Sequence, residues 1–181
     1  MSSPIGSMRN VKIFVLYLME NIQYPLDFVT INDIVMQTDY VMYLDFAEAF
    51  HDMLDNGLLS KTVEEGEELY SVTEKGRHVA RELKSDLLPS ILDQALSRAL
   101  RYLNFKKRGI VPSCTVEPAE NGRFRVTCRF IEQGECIFSQ SLVVDTEDRA
   151  GRMKENFYER PEAIYRGVLA LMAGNVNYLF N

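Results

Sequence analysis

The sequence predicts an α+β fold, in which a helical region with one hairpin precedes a small antiparallel sheet and a final long helix. Three observations predict it. Apolar residues recur at helical spacing over the first 55 residues. Short β-like segments flank Gly-containing turns near residues 66, 122 and 134. A second helical pattern begins near residue 145. At 181 residues the chain is long enough to bury a real core in one or two units.

The amino-terminal region predicts three helices, a hairpin and a fourth helix. The second helix is predicted to start at Thr30, and the third buries Phe46 and Phe50 before stopping at Asn56-Gly57. The hairpin is formed by "LLSKTV" and "ELYSV" around "EEGE". This is the element order of a winged helix, which we assign to residues 8–86. Residues 1–7 are excluded because we take Met8 as the native start.

Two segments of this region resemble a known class. "FAEAFHDMLDNGLLSK" and "EELYSVTEKGR" resemble the third helix and wing of bacterial winged-helix regulators, in which a Gly-Leu-Leu turn leads into a hairpin ending Tyr-x-x-Thr-x-x-Gly. Over nearly the whole chain, the order of elements also resembles the bacterial domain-of-unknown-function family 4364. The resemblance implies a protein similar to transcriptional regulators and implies no catalytic residue.

Both elements expected to contact DNA carry negative charge. Asp45, Glu48, Asp52 and Asp55 are spaced 3, 4 and 3 apart, which predicts one acidic stripe on the solvent side of the third helix. The wing tip adds four glutamates, Glu64, Glu65, Glu67 and Glu68. Because phosphates repel carboxylates, this charge disfavours ordinary groove binding. The stripe is interpreted either as a solvated face or as a surface for a protein partner.

DNA binding would therefore need basic residues outside the third helix. Residues 1–86 contain 7 basic and 15 acidic side chains, whereas residues 87–181 contain 13 and 11. Lys75, Arg77 and Arg81 on the predicted fourth helix are candidate phosphate contacts. Residues 87–109 predict a linking helix that could also pair with its copy in a homodimer.

A three-stranded meander is predicted at the start of residues 110–181, the second domain. A three-residue loop at 120–122, with Gly122 left-handed, pairs Cys114 with Cys128 and sets Glu117 opposite Arg125. The same treatment of "EQG" before Glu135 predicts three further pairs, which are Phe130 with Cys136, Cys128 with Phe138, and Phe124 with Leu142. All three cysteines would then lie on the inner face as small buried hydrophobes.

The outer face of this sheet is predicted to carry Arg123, Arg125, Thr127 and Arg129. Arg125 has Glu117 as its assigned cross-strand partner. Arg123 and Arg129 have no assigned partner and are candidate anion or nucleic-acid contacts. Cross-strand pairing alone remains the other interpretation.

The final apolar stripe runs from Ala150 through Pro161 to Leu171, which predicts one kinked helix or two helices with Pro161 starting the second. Its apolar side is expected to cover the inner sheet face. We expect the tail, with Tyr178, Leu179 and Phe180, to dock on the fold; an exposed tail would be an interaction peptide.

No enzyme motif appears in the sequence. Paired carboxylates in a hydrolase context, a Gly-rich phosphate loop and metal-ligand spacing are all missing, and His51 and His78 stand alone. We therefore expect no catalytic residue, metal or cofactor. No apolar run reaches the roughly 18 residues of a membrane span, and the start does not match a signal peptide, so we expect a cytoplasmic location.

Two functional hypotheses follow. The first is a dimeric, regulator-like winged-helix protein with non-standard DNA binding. The second is a protein-interaction or ligand-sensing module that keeps the fold without binding DNA. The resemblance favours the first hypothesis, and the acidic third helix and wing favour the second.

Overall fold

The computed structural model describes residues 3–176, so the predicted tail segment at residues 178–180 lies outside the described residues. The chain divides into two compact units, Met1–Tyr102 and Leu103–Asn181. The fold is α+β: the described residues form seven α-helices, a two-stranded sheet and a three-stranded sheet, both antiparallel. None of these helices is long and apolar enough to cross a membrane.

The first unit follows the predicted order of three helices, a hairpin and a fourth helix. Its elements are α1 (Met8–Ile22), α2 (Phe28–Met36), α3 (Tyr43–Asp55), β1 (Leu59–Glu64), β2 (Glu67–Val72), α4 (Glu74–Leu83) and most of α5 (Pro89–Lys107). The predicted start of the second helix at Thr30 was wrong. Asp27 caps α2 instead, because its carboxylate accepts the backbone N–H of Thr30 at 2.8 Å.

Aromatic rings form much of the core between α2, α3 and the hairpin. Phe46 and Phe50 of α3 are buried, as the spacing predicted. The ring of Phe50 lies edge-on to Phe28 and to Tyr70 of β2, with centroids 4.9 Å apart in both pairs. The segment before α2 joins the hairpin through a bridge between Leu26 and Tyr70. One face of α3 therefore packs in the core, and its opposite face is available for other contacts.

Residues 3–7, which the sequence-based assignment left outside the fold, pack on the first unit. Ile5 is buried, and its backbone N–H donates to the carbonyl of Tyr40 at 3.0 Å. The hydroxyl of Ser3 accepts the backbone N–H of Met42 at 2.8 Å. This segment therefore lies beside the start of α3.

The second unit contains β3 (Ile110–Pro118), β4 (Phe124–Glu132), β5 (Glu135–Val144), α6 (Glu147–Glu159) and α7 (Pro161–Met172), and the sheet order is β3-β4-β5. The predicted register between the first two strands is confirmed: Cys114 pairs with Cys128, and Glu117 pairs with Arg125. The predicted loop is also confirmed, with Gly122 at a φ of 68°.

The predicted register between β4 and β5 was wrong by two residues. Phe130 pairs with Phe138, Cys128 with Gln140, and Phe124 with Val144. The turn has two residues, Gln133 and Gly134, both with positive φ, so Glu132 pairs directly with Glu135. An irregularity in the strand pairing between Phe130 and Ile131 shifts the register, so that Phe138 lies opposite Phe130 and its side chain points to the inner face. Cys136 pairs with Ile131 and is exposed, which contradicts its predicted burial.

Of the two predicted alternatives, one kinked helix or two helices with Pro161 starting the second, the structure has the two helices. α6 ends at Glu159, and α7 begins with Pro161 in its first turn, where a missing N–H costs nothing. Phe157 of α6 packs on Phe130 of β4 with ring centroids 4.7 Å apart. The helices therefore cover the inner face of the sheet, as expected, and the outer face carries the opposite set of side chains.

Candidate functional site

The exposed face of α3 combines apolar and acidic side chains. Leu44, Glu48, His51 and Asp55 are all exposed, and their spacing of 4, 3 and 4 places them on one face. Leu44 is 75% exposed and the neighbouring Tyr43 54% exposed. The sequence analysis missed this apolar part. The signal was present, because "MYL" lies at the start of the helix and outside its buried stripe.

Two of the four predicted acidic residues are held by their own unit. The backbone N–H of Ser3 donates to Asp45 at 2.7 Å, and the Ser3 hydroxyl donates to the same carboxylate oxygen. The hydrogen bonds from the Ser3 hydroxyl and then its N–H hold the pKa of Asp45 below its ordinary value. Lys12 of α1 donates to Asp52 at 2.5 Å and lowers the pKa of that carboxyl. Glu48 and Asp55 are exposed and have no ion pair within the described residues.

The tip of the β1-β2 hairpin, the predicted wing, is acidic as expected, but one of its glutamates is neutralised. Glu68 of β2 accepts from Lys61 of β1 and from the Tyr70 hydroxyl. Those contacts, first the one from Lys61, lower the pKa of Glu68. Across the tip, Glu64 pairs with Glu67 in the strand register, and both are exposed. The wing therefore presents carboxylates to solvent and no free cation among its strand residues.

The three candidate phosphate contacts of α4 are engaged within the first unit. Lys75 donates to the carbonyl of Asn56 at 2.9 Å, at the end of α3. Arg77 lies 3.4 Å from Glu74, and the Nε of Arg81 donates to Glu20 of α1 at 2.7 Å. Arg77 and Arg81 line a polar pocket of about 460 Å³, which Glu20 also lines. Each cation therefore has a carboxylate or carbonyl close by.

The outer face of the three-stranded sheet carries Arg125, Thr127 and Arg129 of β4. Arg125 and Arg129 are exposed, and neither has an ion pair within the described residues. Glu117 lies opposite Arg125 in the register, as predicted, but no ion pair forms between them. The sequence analysis removed Arg125 from the candidate set because it assigned this pair.

Arg123 precedes Arg125 by two residues and lies on the same side of the sheet. Its backbone is extended at the start of β4, so the alternation of the strand places both side chains on the outer face. Both arginines line an open depression of about 570 Å³ at the hairpin end of the sheet. The Nε of Arg123 is 3.4 Å from the Glu120 carbonyl, which anchors one edge of the guanidinium.

The inner face holds two cysteines and an apolar pocket. The Sγ atoms of Cys114 and Cys128 are 3.4 Å apart, and both thiols are free. Burial, and then the hydrogen bond with Cys114, raise the pKa of Cys128 to about 12. Cys128 also lines a pocket of about 260 Å³ between β5 and the two helices, together with Phe138, Met153 and Ile164. The sequence analysis did not predict this pocket, because it assigned the wrong register to β5.

No group of three or more His, Cys, Asp or Glu side chains is placed to hold a metal ion in the part of the chain that the structure describes. His51 is exposed on α3, and its ring lies edge-on to the buried Phe50 with centroids 6.2 Å apart. Within residues 3–176, the geometry therefore offers charged surfaces and pockets.

Comparison with known proteins gives one match. The profile of the domain of unknown function DUF4364 matches residues 11–172, which include nearly all of both units. The chain belongs to this family. No curated protein and no solved structure matches the sequence. The DUF4364 match spans both charged surfaces, the outer face of α3 and the outer face of β4.

Proposed function

We propose that this DUF4364 protein is a regulator-like, non-enzymatic winged-helix protein whose first unit binds a protein partner through α3. The contact surface is Tyr43, Leu44, Glu48, His51 and Asp55, which we call the α3 face. The observation that carries the proposal is the composition of this face. Exposed apolar side chains lie beside unpaired carboxylates where a DNA-binding winged helix would need cations.

The winged-helix assignment rests on element order. Three helices, a hairpin and a fourth helix follow one another in the first unit, and α3 leads into the hairpin through Gly57 in a left-handed conformation. This order also agrees with the resemblance of the third helix and wing to bacterial regulators. It supports a cytoplasmic, regulator-like role by analogy of fold, and the site itself must supply the function.

Groove binding by α3 is disfavoured by electrostatics. Most of the affinity for DNA comes from neutralised phosphates, and each contact requires a cation. The α3 face offers no Lys or Arg, and Lys61 of the hairpin is paired with Glu68. The cations of α4 are held by Glu74, Glu20 and the end of α3. Moving Arg81 to phosphate would leave the carboxylate of Glu20, which is only 15% exposed, without its cation.

The face also indicates what the partner is like. Exposed apolar area on a surface is a common mark of a protein interface. The carboxylates of Glu48 and Asp55 would attract Lys or Arg of a partner and would steer its approach. A second copy would bring the same charges against each other. The homodimer that we expect would therefore form through a different surface.

The test is site-specific photo-crosslinking in the cells from which the protein comes. A photoreactive amino acid replaces Leu44, which is 75% exposed, and a matched control replaces Val63, an apolar residue on β1 of the hairpin that is 65% exposed. We expect a protein adduct at position 44 that is weak or missing at position 63. In the same chain, the E48K/D55K double variant should abolish the adduct, because it reverses the charge that attracts a basic partner.

Three outcomes would overturn the proposal. They are an adduct only with a second copy of this chain, an adduct that survives E48K/D55K unchanged, or no protein adduct at position 44. The E48K/D55K variant should keep the thermal midpoint of the wild type, because both side chains are exposed and have no ion pair within the described residues.

A further inference from the structure

The outer face of the three-stranded sheet is a basic region built on one strand. Its arginines lie along one strand: Arg125 and Arg129 on β4, and Arg123 directly before it. With a rise of roughly 3.3 Å per residue, the Cα atoms of Arg123 and Arg129 are about 20 Å apart. The face therefore presents a line of positive charge, which is longer than a single phosphate group.

Arg108, Arg149, Arg152 and Arg166 of this unit are each paired with a carboxylate. Arg149 and Arg152 of α6 pair with acidic residues one turn earlier, Asp145 and Asp148. Arg108 forms two hydrogen bonds with Glu132, at 2.8 and 3.0 Å. Arg125 and Arg129 form no such pair within the described residues. Their guanidinium donors are therefore open to an external anion.

Hydroxyl side chains flank the part of this face around Thr127 and Arg129. In the strand register, Arg129 lies between Ser113 of β3 and Ser139 of β5. Thr127 lies between Thr115 and Ser141, and its hydroxyl is 3.1 Å from that of Ser141. Arginine and hydroxyl side chains are the groups that most often contact nucleic-acid phosphates.

We infer that this outer face binds the phosphodiester backbone of a nucleic acid. The residues that carry the binding are Arg123, Arg125 and Arg129, supported by the flanking hydroxyls. The depression at the hairpin end, lined by Arg123 and Arg125, would hold one phosphate, and Arg129 would contact another further along the strand.

The composition of the face also determines how selective the binding is. No aromatic side chain lies among the outer residues of β3, β4 and β5 in the described register. Stacking of bases on aromatic rings is therefore excluded there, and the contact should be independent of base sequence. Glu117, opposite Arg125, and Glu120, which also lines the depression, reduce the positive charge there and should limit the affinity. This inference does not depend on the proposed protein partner of α3.

The test is a fluorescence-anisotropy titration of the full chain against a labelled 20-mer of random sequence, as a duplex and as a single strand. The variant R125Q/R129Q is compared with the control R149Q/R152Q. Both remove two positive charges from exposed arginines, since Arg149 and Arg152 are 61% and 68% exposed. Titrations at about 50 and 200 mM salt measure the phosphate contribution.

We expect the wild type and R149Q/R152Q to bind with the same steep salt dependence. R125Q/R129Q should reduce the slope of log affinity against log salt by about two, one for each lost phosphate contact. When the salt concentration rises fourfold, the affinity of the wild type should fall about twelvefold more than that of the variant, because the wild type makes two more phosphate contacts. The ratio of duplex to single-strand affinity then identifies the preferred form.

The inference is overturned if the wild type binds neither DNA at the lower salt concentration, or if the control variant weakens binding as much as R125Q/R129Q does. It is also overturned if the protein binds vesicles of phosphatidylglycerol through these arginines but does not bind DNA, because the face would then recognise a lipid surface. Both variants change exposed side chains only, so their thermal midpoints should match that of the wild type.

Discussion

The third helix of the first unit and the central strand of the second unit each carry charges opposite an apolar face. In α3, two of the four predicted surface carboxylates, Asp45 and Asp52, are held by neighbouring parts of the first unit. In β4, Arg125 and Arg129 stay free. Sequence spacing therefore predicted the strand surface better than the helix surface.

The difference has a geometric cause. A strand has two faces, separated by the sheet itself, and alternation assigns each side chain to one of them. A helix is a cylinder, and residues at the border of its buried stripe can contact whatever packs along its flanks. For α3 those neighbours are Lys12 of α1 and Ser3, which periodicity within α3 cannot reveal.

The largest expected effect is a difference in reactivity between two thiols, one on the inner face of the sheet and one exposed. The thiolate is the reactive form, and a pKa of about 12 leaves roughly one part in ten thousand of Cys128 ionised at pH 8. Cys136 is exposed. We expect iodoacetamide to modify Cys136 more than about a hundredfold faster than Cys128. Peptide mapping by mass spectrometry over time gives both rates.

The C136S variant serves as the control for that experiment, because its remaining thiols should stay unmodified until the protein is denatured. Modification of Cys128 at a rate similar to that of Cys136 in the native wild type would show that the inner face is not protected. The separation of the two sheet faces would then be wrong.

An intermediate effect is expected from glycines in two helices. A Cβ on Gly76 of α4 would lie 2.2 Å from the backbone oxygen of Leu58, whereas a Cβ on Gly151 of α6 would meet nothing within 4 Å. Gly76→Ala should lower the free energy of unfolding by about 1–3 kcal/mol through overpacking. Gly151→Ala should raise it by about 0.5–1 kcal/mol, because alanine is the better helix former.

Urea denaturation of both variants measures this pair. If both substitutions changed the free energy of unfolding by the same amount, the residues packed against each helix would not be what distinguishes the two positions. A stabilising Gly76→Ala substitution would contradict the close approach of α4 to the start of the hairpin.

The smallest effect is expected from the carboxylates of α3. The pKa of Asp45 is lowered, so its ionised form stabilises the folded state above the unfolded pKa, and this contribution is lost as the pH falls through the folded value. Asp45→Asn should therefore reduce the urea midpoint at pH 7 and have little effect near pH 2. Glu48→Gln, on the exposed face, should leave the midpoint unchanged at both values. A pH-independent loss for Asp45→Asn would exclude the electrostatic explanation.

Local pattern in the sequence was sufficient for most of the architecture. Helical spacing determined the buried residues Phe46 and Phe50, and the three-residue loop with Gly122 determined the register between β3 and β4. The outer arginines followed from that register. The DUF4364 assignment was also reached from quoted segments and element order. Each of these depends on interactions between residues close in the chain or on a period that one strand or helix fixes by itself.

Tertiary structure decided the rest. It placed Ser3 on Asp45 across 42 residues and Lys12 on Asp52 across 40, and it left Arg125 without the partner that its register suggested. It also chose a two-residue turn with a later irregularity for β5, which exposed Cys136 and opened the apolar pocket beside Cys128. Such choices depend on side-chain reach and on packing between distant segments, which the spacing along a single element does not encode.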